Sequence, residues 1–375
     1  MAFEPKHREI SRQILQEIQR GRYGETGRLP SEAQLVQRFG VSRPTVARAL
    51  RDLQAQGLVQ RRAGAGTFLR GTTGSSTSAG NRQLGLLIPG LGTTPVFDLI
   101  CGELAGLSRA YDYNLLWGGG THPAQDRQVS VRDAEDICER FARRQVPGVF
   151  FAPFERIEGK DEINTRLAER LRHEGIAVVL LDRDLASFPS RSGFDLVGVD
   201  NFAGGYLLAE HLLKLGGRQL RFVARPLTAA TVDARAAGAR EALSMRGLEI
   251  PRDFVRRGDP EDPQFVASLR LGADVDALIC SGDRQAALLM RTLDRMGIRV
   301  PGDIRLVGFD DSRYATLLSV PLTTVHQPCR EIAVVALRVM LDRMADATLP
   351  ARHVILAPQL VVRESCGAHL QNEAT

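Results

Sequence analysis

Lysine is almost missing from this chain of 375 residues, in which Lys6, Lys160 and Lys214 are the only three lysines beside a large number of arginines. Lys160 lies in the charged run ERIEGKDE and Lys214 lies in a helical pattern, so neither has the apolar surroundings that activate an amine. An enzyme that forms a Schiff base through lysine is therefore disfavoured. The patterns GxSxG, Walker A and HExxH are also missing, and we predict neither catalysis nor a cofactor.

Paired cysteines and long apolar runs are missing too. The 5 cysteines stand singly without a CxxC pair, which favours buried, reduced thiols over a disulfide framework. The 7 histidines show no paired ligand spacing, so we predict no metal site. No apolar run is long enough to span a membrane, and the start MAFEPKHREI lacks the apolar centre of a signal peptide. We therefore expect a cytoplasmic chain that makes no membrane contact.

Positive charge is concentrated at the start of the chain. Residues 1–70 contain 13 Lys and Arg against 6 Asp and Glu, whereas the other 305 residues contain 36 against 38. A basic surplus confined to one terminal segment is typical of a module that neutralises phosphates. Arginine supplies nearly all of this charge, and its guanidinium can bind a base or a phosphate through two hydrogen bonds at once.

Residues 29–70 carry the pattern of a winged helix-turn-helix. Ser31 precedes an apolar run and Gln34 follows three residues later, which predicts a capping box at the start of a helix. Gly40 ends that helix, Ser42 caps the next one, and Pro44 lies in its first turn, where the missing N–H costs nothing. An earlier helix is marked by apolar residues at helical spacing, namely Ile10, Ile14, Leu15 and Ile18.

The second helix of the motif has one apolar and one basic face. Val46, Ala49, Leu50 and Leu53 recur at helical spacing, so the opposite face points outward. Two short β-type runs, LVQRR and GTFL, follow and form the wing. An ordinary basic helical domain is the alternative. The predicted DNA-binding residues are Ser31, Ser42, Arg43, Pro44, Thr45, Arg48, Arg62, Gly64, Gly66 and Thr67, with Arg43 the foremost base reader.

Residues 5–70 resemble the GntR-type regulators. The resemblance rests on LPSE at 29–32, VSRPTV at 41–46, GLV at 57–59 and GAGTF at 64–68. It implies a winged-helix head that binds duplex DNA. Many members carry a DNA-contacting arginine where this chain has Ala33 and Ala47, so only part of the family's usual contacts carries over.

The remainder of the sequence predicts a linker followed by a parallel sheet with helices on both faces. Residues 71–83 are rich in Gly, Ser and Thr, which predicts a flexible tether between two domains. From Leu84 onward, short apolar runs alternate with helical stretches, a pattern that indicates βαβ units and an α/β fold. The predicted strands are LGLLI, YNLLW, GVFFA, AVVLL, LVGV, LRFVA, DALIC and IRLVGF.

Polar side chains follow several of these strands, where ligands bind in open α/β sheets. Carboxylates, arginine and a few aromatic rings suit a small polyhydroxylated ligand. For Asp200 and Asp283 we expect helix capping rather than ligand contact, because aspartate is a common N-cap. For Asp310, which is followed at once by Asp311, we expect ligand contact.

Residues 84–367 resemble the ligand-binding domain of LacI-type repressors, which is similar to periplasmic sugar-binding proteins. The matching runs are GVDNFAGGYLLAEHLLKLGGRQLRFV at 198–223 and VPGDIRLVGFDDSRYATLLSVPLTTVHQP at 300–328. The resemblance implies two lobes joined by three crossovers, with lobe 1 at about 84–198 and 328–350 and lobe 2 at about 199–327 and 351–367. It further implies dimerisation and an effector between the lobes, and its candidate contacts are Phe97, Asp98, Arg183, Arg235, Asp283, Asp310 and Gln327.

Together these features predict a homodimeric transcription factor, expected to be a repressor, with a pseudo-palindromic operator and a sugar or related metabolite as effector. A GntR-type head on a LacI-type sensor resembles the arabinose-responsive repressor architecture, and Gly282 replaces an asparagine that is frequent in LacI-type sensors. Residues 71–83 lack the pattern of the LacI hinge helix. There are two rival classes. An enzyme fused to a DNA-binding head is disfavoured because neither Lys160 nor Lys214 has surroundings that activate an amine. A periplasmic-type solute binder is disfavoured because the start of the sequence lacks the pattern of a signal peptide.

Overall fold

The structure is a computed structural model that describes residues 6–19, 22–23, 27–55, 58–62, 66–69, 82–89, 91, 95–117, 131–272 and 274–372. Gly64, the side chain of Arg62 and residues 71–81 of the predicted tether lie outside this description. Within the described ranges, no helix has the length and apolar character needed to cross a bilayer.

The N-terminal domain consists of three helices and a two-stranded wing, as the sequence predicts. Its elements are α1 (Lys6–Gln19), α2 (Glu32–Phe39), α3 (Arg43–Ala55), β1 (Val59–Arg62) and β2 (Gly66–Leu69). The predicted apolar faces of α1 and α3 are buried, including Ile14 and Leu53 at 0% exposure. Residues on the opposite face of α3, among them Arg43 and Arg48, are exposed.

Local signals in the head act as expected. The Ser31 hydroxyl accepts the Gln34 amide and the Gln34 side chain accepts the Ser31 amide, which closes the predicted capping box. Gly40 ends α2 in the left-handed region at φ 61°, where glycine meets no steric penalty. In the wing, β1 and β2 are antiparallel with Val59 opposite Leu69.

The second domain begins with five parallel strands and three helices. In chain order they are β3 (Gln83–Leu87), α4 (Pro95–Arg109), β4 (Asn114–Trp117), α5 (Val131–Arg143), β5 (Gly148–Phe151), α6 (Lys160–His173), β6 (Ala177–Leu181) and β7 (Asp195–Val199). β3 starts at Gln83, so the last position of the predicted tether already belongs to a strand.

A second lobe follows directly on β7. Its elements are α7 (Asn201–Lys214), β8 (Leu220–Ala224), α8 (Ala230–Met245), β9 (Val255–Arg257), α9 (Pro263–Ser268), β10 (Ala277–Cys280), α10 (Asp283–Arg295), β11 (Arg305–Val307), a 3-10 helix (Arg313–Thr316) and β12 (Thr324–His326). The last part of the chain forms α11 (Cys329–Ala345), β13 (His353–Leu356), β14 (Gln359–Val361) and α12 (Ala368–Asn372).

Two parallel sheets define the two lobes. The first has the order β13-β7-β6-β5-β3-β4 and the second the order β11-β10-β8-β9, while β12 and β14 form a short antiparallel pair. β5 and β7 are buried along their whole length because helices cover both faces of the sheet.

The pairing of β13 corrects one predicted boundary. The sequence analysis assigned residues 351–367 to lobe 2, but His353–Leu356 pairs in parallel with β7 in the sheet of lobe 1. The three crossovers therefore lie after Val199, after His326 and between Leu356 and Gln359. Lobe 1 gains a sixth strand in this way.

Helices α7 and α8 of lobe 2 cross at two glycines. A Cβ on Gly205 would stand 1.9 Å from the carbonyl oxygen of Arg235, and a Cβ on Gly238 would stand 1.9 Å from that of Phe202. Only glycine permits this backbone approach. The crossing fixes the position of Arg235, which belongs to the site described below.

Candidate functional site

The outward face of α3 carries most of the predicted DNA-binding side chains. Ser42, Arg43, Pro44 and Arg48 are exposed, and Thr45 is half-buried with its hydroxyl 2.8 Å from that of Ser42. The Arg43 side chain is 77% exposed. These groups share the N-terminal turns of a helix whose N–H groups also favour phosphate oxygens.

A carboxylate joins this helix to the wing. Glu32 at the start of α2 lies 3.5 Å from the Arg43 guanidinium and 2.9 Å from that of Arg61 in β1. Both arginines are mostly exposed, so the pairs contribute little stability, but they hold two cations on one surface. The role of Arg43 in base reading stays a prediction.

Arg28 is a residue that sequence reasoning missed. Its backbone forms an isolated antiparallel β-bridge with Phe68 in β2, beside the wing. Its guanidinium lies 5.9 Å from the centroid of the Phe68 ring. The predicted residues Gly66 and Thr67 lie next to it, and a Cβ on Gly66 would stand 3.3 Å from the Arg28 Nε. Arg28 precedes the recognized LPSE run, so only its positive charge could have indicated a role.

A buried carboxylate ties α1 to α2 in the head. Glu17 accepts hydrogen bonds from Arg38, from the Tyr23 hydroxyl and, at 2.7 Å, from Arg22. The hydrogen bond from Arg38 is the main cause that lowers the pKa of Glu17 to about 2. This cluster fixes the position of α1 relative to α2 of the helix-turn-helix.

A cavity of about 100 Å³ lies between the lobes of the second domain, at the carboxyl ends of their strands. The predicted residues Phe97, Arg183, Arg235, Asp310 and Gln327 all line it. Sequence reasoning missed other lining residues, which include Glu155, Arg156, Thr228, Thr231, Ser281, Arg284, Gln285, Ser312 and Tyr314.

Arg183 is the polar centre of the lobe 1 wall. Its guanidinium lies 3.2 Å from Asp182, 3.4 Å from Glu155 and 5.2 Å from the Phe97 ring centroid. Burial opposes its charge, but Glu155 and Asp182 outweigh burial and raise the pKa of Arg183. Arg183 therefore stays charged and presents a fixed donor to the cavity.

Arg235 and Asp310 form the facing wall in lobe 2. Arg235 donates to the side chain of Asn201 at 2.7 Å and to the Ser281 carbonyl at 2.5 Å, and it lies 3.9 Å from the Asp310 carboxylate. Asp310 also accepts a hydrogen bond from Gln327 at 2.7 Å. Burial is the main cause that raises the pKa of Asp310 and lowers that of Arg235.

Two buried acceptors in this cavity have no donor. Asp182 Oδ1 and Gln327 Oε1 are shielded from water and make no hydrogen bond, although their residues are only 9% and 2% exposed. An unpaired buried oxygen costs about 1–3 kcal/mol, so a native structure pairs it in some functional state. Hydroxyl groups of a ligand would supply the donors.

Two predicted contacts are wrong. Asp98 is exposed on α4 and does not line the cavity, since the helix turns it away while it turns Phe97 inward. Asp283 is completely buried beneath the cavity, where its carboxylate accepts from the Ser312 amide at 2.7 Å and from the Thr324 hydroxyl at 2.6 Å. It supports the wall and does not cap its own helix, which corrects that expectation as well.

Asp200 behaves as the sequence analysis expected. Its carboxylate accepts the Ala203 amide at 2.9 Å and caps α7. The five cysteines are also buried and free, as expected.

The mouth of the cavity is bridged by the backbone. The Arg156 amide in lobe 1 donates to the Leu227 carbonyl in lobe 2 at 2.7 Å, and both residues have positive φ, at 59° and 55°. The buried Nε of Arg156 makes no hydrogen bond and lies 3.9 Å from the Glu155 carboxylate. The bridge joins the two lobes beside the cavity.

Comparisons with known proteins agree with both halves. Residues 6–69 match the bacterial regulatory proteins of the gntR family, and residues 209–366 match a periplasmic binding protein-like domain. The arabinose metabolism transcriptional repressor of Geobacillus stearothermophilus is 26% identical over 96% of this chain and 97% of its own length. The repressor PurR of Klebsiella pneumoniae is 30% identical, but over only 53% of this chain and 58% of its own.

Solved structures agree with the fold. The transcriptional regulator CelR in complex with cellobiose covers 87% of this chain and 91% of its own, with a TM-score of 0.65 and 23% identity. A LacI family regulator from Enterococcus faecium with bound ribose covers 76% and 98%, with a TM-score of 0.61 and 22% identity. These comparisons support an effector-controlled, DNA-binding transcriptional regulator, whose residues 6–69 match the gntR family and whose residues 209–366 match a periplasmic binding protein-like domain with a fold like that of LacI family regulators.

Proposed function

We propose that this regulator binds a pseudo-palindromic operator as a homodimer and that a sugar or related metabolite, bound between the lobes, changes its affinity for that operator. One recognition helix reaches only a few base pairs, so a specific site requires two heads and two half-sites. Repression is the expected outcome of operator binding. We further propose a cytoplasmic location, because a DNA-binding regulator works on the chromosome.

The observation that carries the effector half is the pair of unpaired acceptors, Asp182 Oδ1 and Gln327 Oε1. They come from different lobes and line one cavity. A hydroxylated ligand would satisfy both and would thereby hold the two lobes together. The relatives with bound cellobiose and ribose support this ligand class.

The position of α11 supports communication between the two domains. This helix begins at Cys329, two residues after Gln327 in the cavity wall. Farther along, Arg338 reaches the Gln54 carbonyl near the end of α3 at 3.5 Å. A ligand that binds the two arrangements of the lobes with different affinity would shift α11 and hence the heads, with coupling on the order of 1–3 kcal/mol.

We expect the effector to leave the protein chemically unchanged. Two lysines that could attack a carbonyl are engaged in ion pairs, since Lys160 lies 2.6 Å from Asp161 and Lys214 lies 3.2 Å from Glu210. Neither lysine lines the cavity. Incubation of the purified protein with its effector, followed by mass analysis of the recovered ligand, checks this expectation.

Selection from a random duplex library, followed by binding titrations, tests the DNA half. Arg43→Ala should lose sequence preference, whereas Arg51→Ala, about two turns later on the exposed side of the same helix, should weaken all sequences alike. Neither variant should change the thermal stabilisation by an effector. If Arg43→Ala selects the same sequences as the wild type, its assigned base-reading role is wrong.

Thermal-shift titration of the intact protein with sugars and sugar derivatives tests the effector half. A ligand that binds only the folded state stabilises it by about 2.7 kcal/mol at a hundred times its Kd. Asp310→Ala should abolish that shift and leave DNA selection intact. A chain that responds to no member of the panel would contradict the effector proposal.

A further inference from the structure

The charges that line the cavity are unevenly paired. Three of the carboxylates there are already engaged: Glu155 and Asp182 lie against Arg183, and Asp310 lies near Arg235. Arg284 also lines the cavity, on the first turn of α10. No carboxylate in the described part of the chain forms an ion pair with Arg284.

The start of α10 offers further positive potential at the same place. The amides of Arg284 and Gln285 lie in the first turn, where a helix provides no acceptor for them. Gly282 precedes them, and a Cβ there would stand 3.0 Å from the Gln285 side-chain oxygen and 3.1 Å from Asp310 Oδ2. The glycine therefore keeps open the space between the helix start and Asp310.

An independent feature of the same cavity indicates a ligand. Asp182 and Gln327 both line the cavity, and each has a buried side-chain oxygen that accepts no hydrogen bond. These oxygens require donors, which an anionic group cannot supply but hydroxyl groups can. The cavity therefore offers acceptors in one part and unpaired positive charge in another.

We propose that the effector is a hydroxylated anion, either a sugar acid or a sugar phosphate, whose charged group lies against Arg284 and the start of α10 while its hydroxyls meet Asp182 and Gln327. The inference rests on the proposed effector site and narrows its ligand class. A carboxylate and a phosphate share the required chemistry, because each accepts several N–H donors and favours a helix N-terminus.

Protonation beneath the site favours the same ligand class. Burial is the main cause that raises the pKa of both Asp283 and Asp310, and the two carboxyl groups repel each other. The groups that bond to these two carboxyl groups or act on their charge are Arg235, Gln327, Ser312, Thr324, Asp182 and Glu155. A proton on either group would reduce the negative charge that an incoming anion meets.

Isothermal titration of the intact protein tests the proposal. The probes are D-glucose, D-galactose, D-ribose and L-arabinose, each compared with its aldonate and its terminal phosphate ester. The variants are Arg284→Gln and, as matched control, Arg295→Gln at the other, exposed end of α10. We expect the tightest probe to be an anion, weakened about tenfold by Arg284→Gln and unchanged by Arg295→Gln.

Each outcome is decisive. The aldonate and phosphate arms identify the anionic group, and Gly282→Ala should weaken the anion more than its neutral parent by narrowing the same space. A neutral sugar as the tightest probe, or equal binding by Arg284→Gln and Arg295→Gln, overturns this proposal while the effector site stands. Absence of binding by every probe contradicts the proposed effector function itself. Melting curves of each variant verify that it folds.

Discussion

Gly238→Ala should show how closely the effector site depends on the crossing of α7 and α8. The new Cβ would stand 1.9 Å from the Phe202 carbonyl oxygen, whereas ordinary contact starts at 3.4 Å, so α8 must retreat by about 1.5 Å. Arg235 moves with it, and its 2.7 Å hydrogen bond to Asn201 stretches beyond bonding distance. Overpacking and the lost charged hydrogen bond together cost on the order of 4 kcal/mol.

The assay compares thermal unfolding by circular dichroism with effector titration. Gly238→Ala should lower the melting temperature of the effector domain by roughly 10 °C and weaken effector binding. The matched control is Gly102→Ala in α4, where a Cβ meets nothing within 4 Å. This control should stabilise the protein by about 0.5–1 kcal/mol, as alanine does in an open helix. Equal melting temperatures for the two variants would refute the reasoning from the glycine crossing.

Three further predictions concern buried charges. Glu17→Gln should destabilise the head at neutral pH. Because the pKa of Glu17 in the folded state lies below the ordinary 4.5, its contribution to stability is present above pH 4.5 and disappears as the pH falls towards 2. The stabilities of the wild type and the variant, measured by unfolding at a series of acidic pH values, should therefore converge near pH 2. Burial has the opposite effect on Asp283 and Asp310, because it raises their pKa values, so the wild type should lose stability as the pH rises above about 4. Asp310→Asn should reduce that loss in melting curves. An equal loss of stability in the variant would contradict this prediction. Arg343→Met removes the 2.8 Å partner of the fully buried Asp195 and should cost about 3 kcal/mol in urea unfolding, and a change below 1 kcal/mol would contradict the importance of this pair.

Most of the fold could be predicted because its signals are local. Every apolar run named as a strand forms one, since a strand buried on both faces leaves a continuous run of apolar residues. The strands β9, β12, β13 and β14 escaped prediction, because they are three or four residues long and include polar side chains. The boundary at 351 failed for the same reason, since only tertiary pairing with β7 shows which sheet receives His353–Leu356.

Only part of the site could be predicted, from residues at the ends of strands and from the resemblance to LacI-type repressors. Phe97 and Asp98 are neighbours in sequence, but the helix directs one into the cavity and the other to solvent. The sequence context of Asp283 favoured helix capping and the resemblance named it as a ligand contact, yet its carboxylate accepts the Ser312 amide. Arg284 gave no signal of its own, because only the packed structure shows that the other cavity arginines have carboxylate partners.

The clasp between Arg156 and Leu227 has a consequence for how such a sensor diversifies. Since the bond joins two main-chain groups, mutation of either side chain preserves the clasp while it reshapes the entrance. Substitutions at these two positions can therefore change which ligands enter the cavity while the bond between the lobes is kept. Ligand specificity and the contact between the lobes can then change independently of each other.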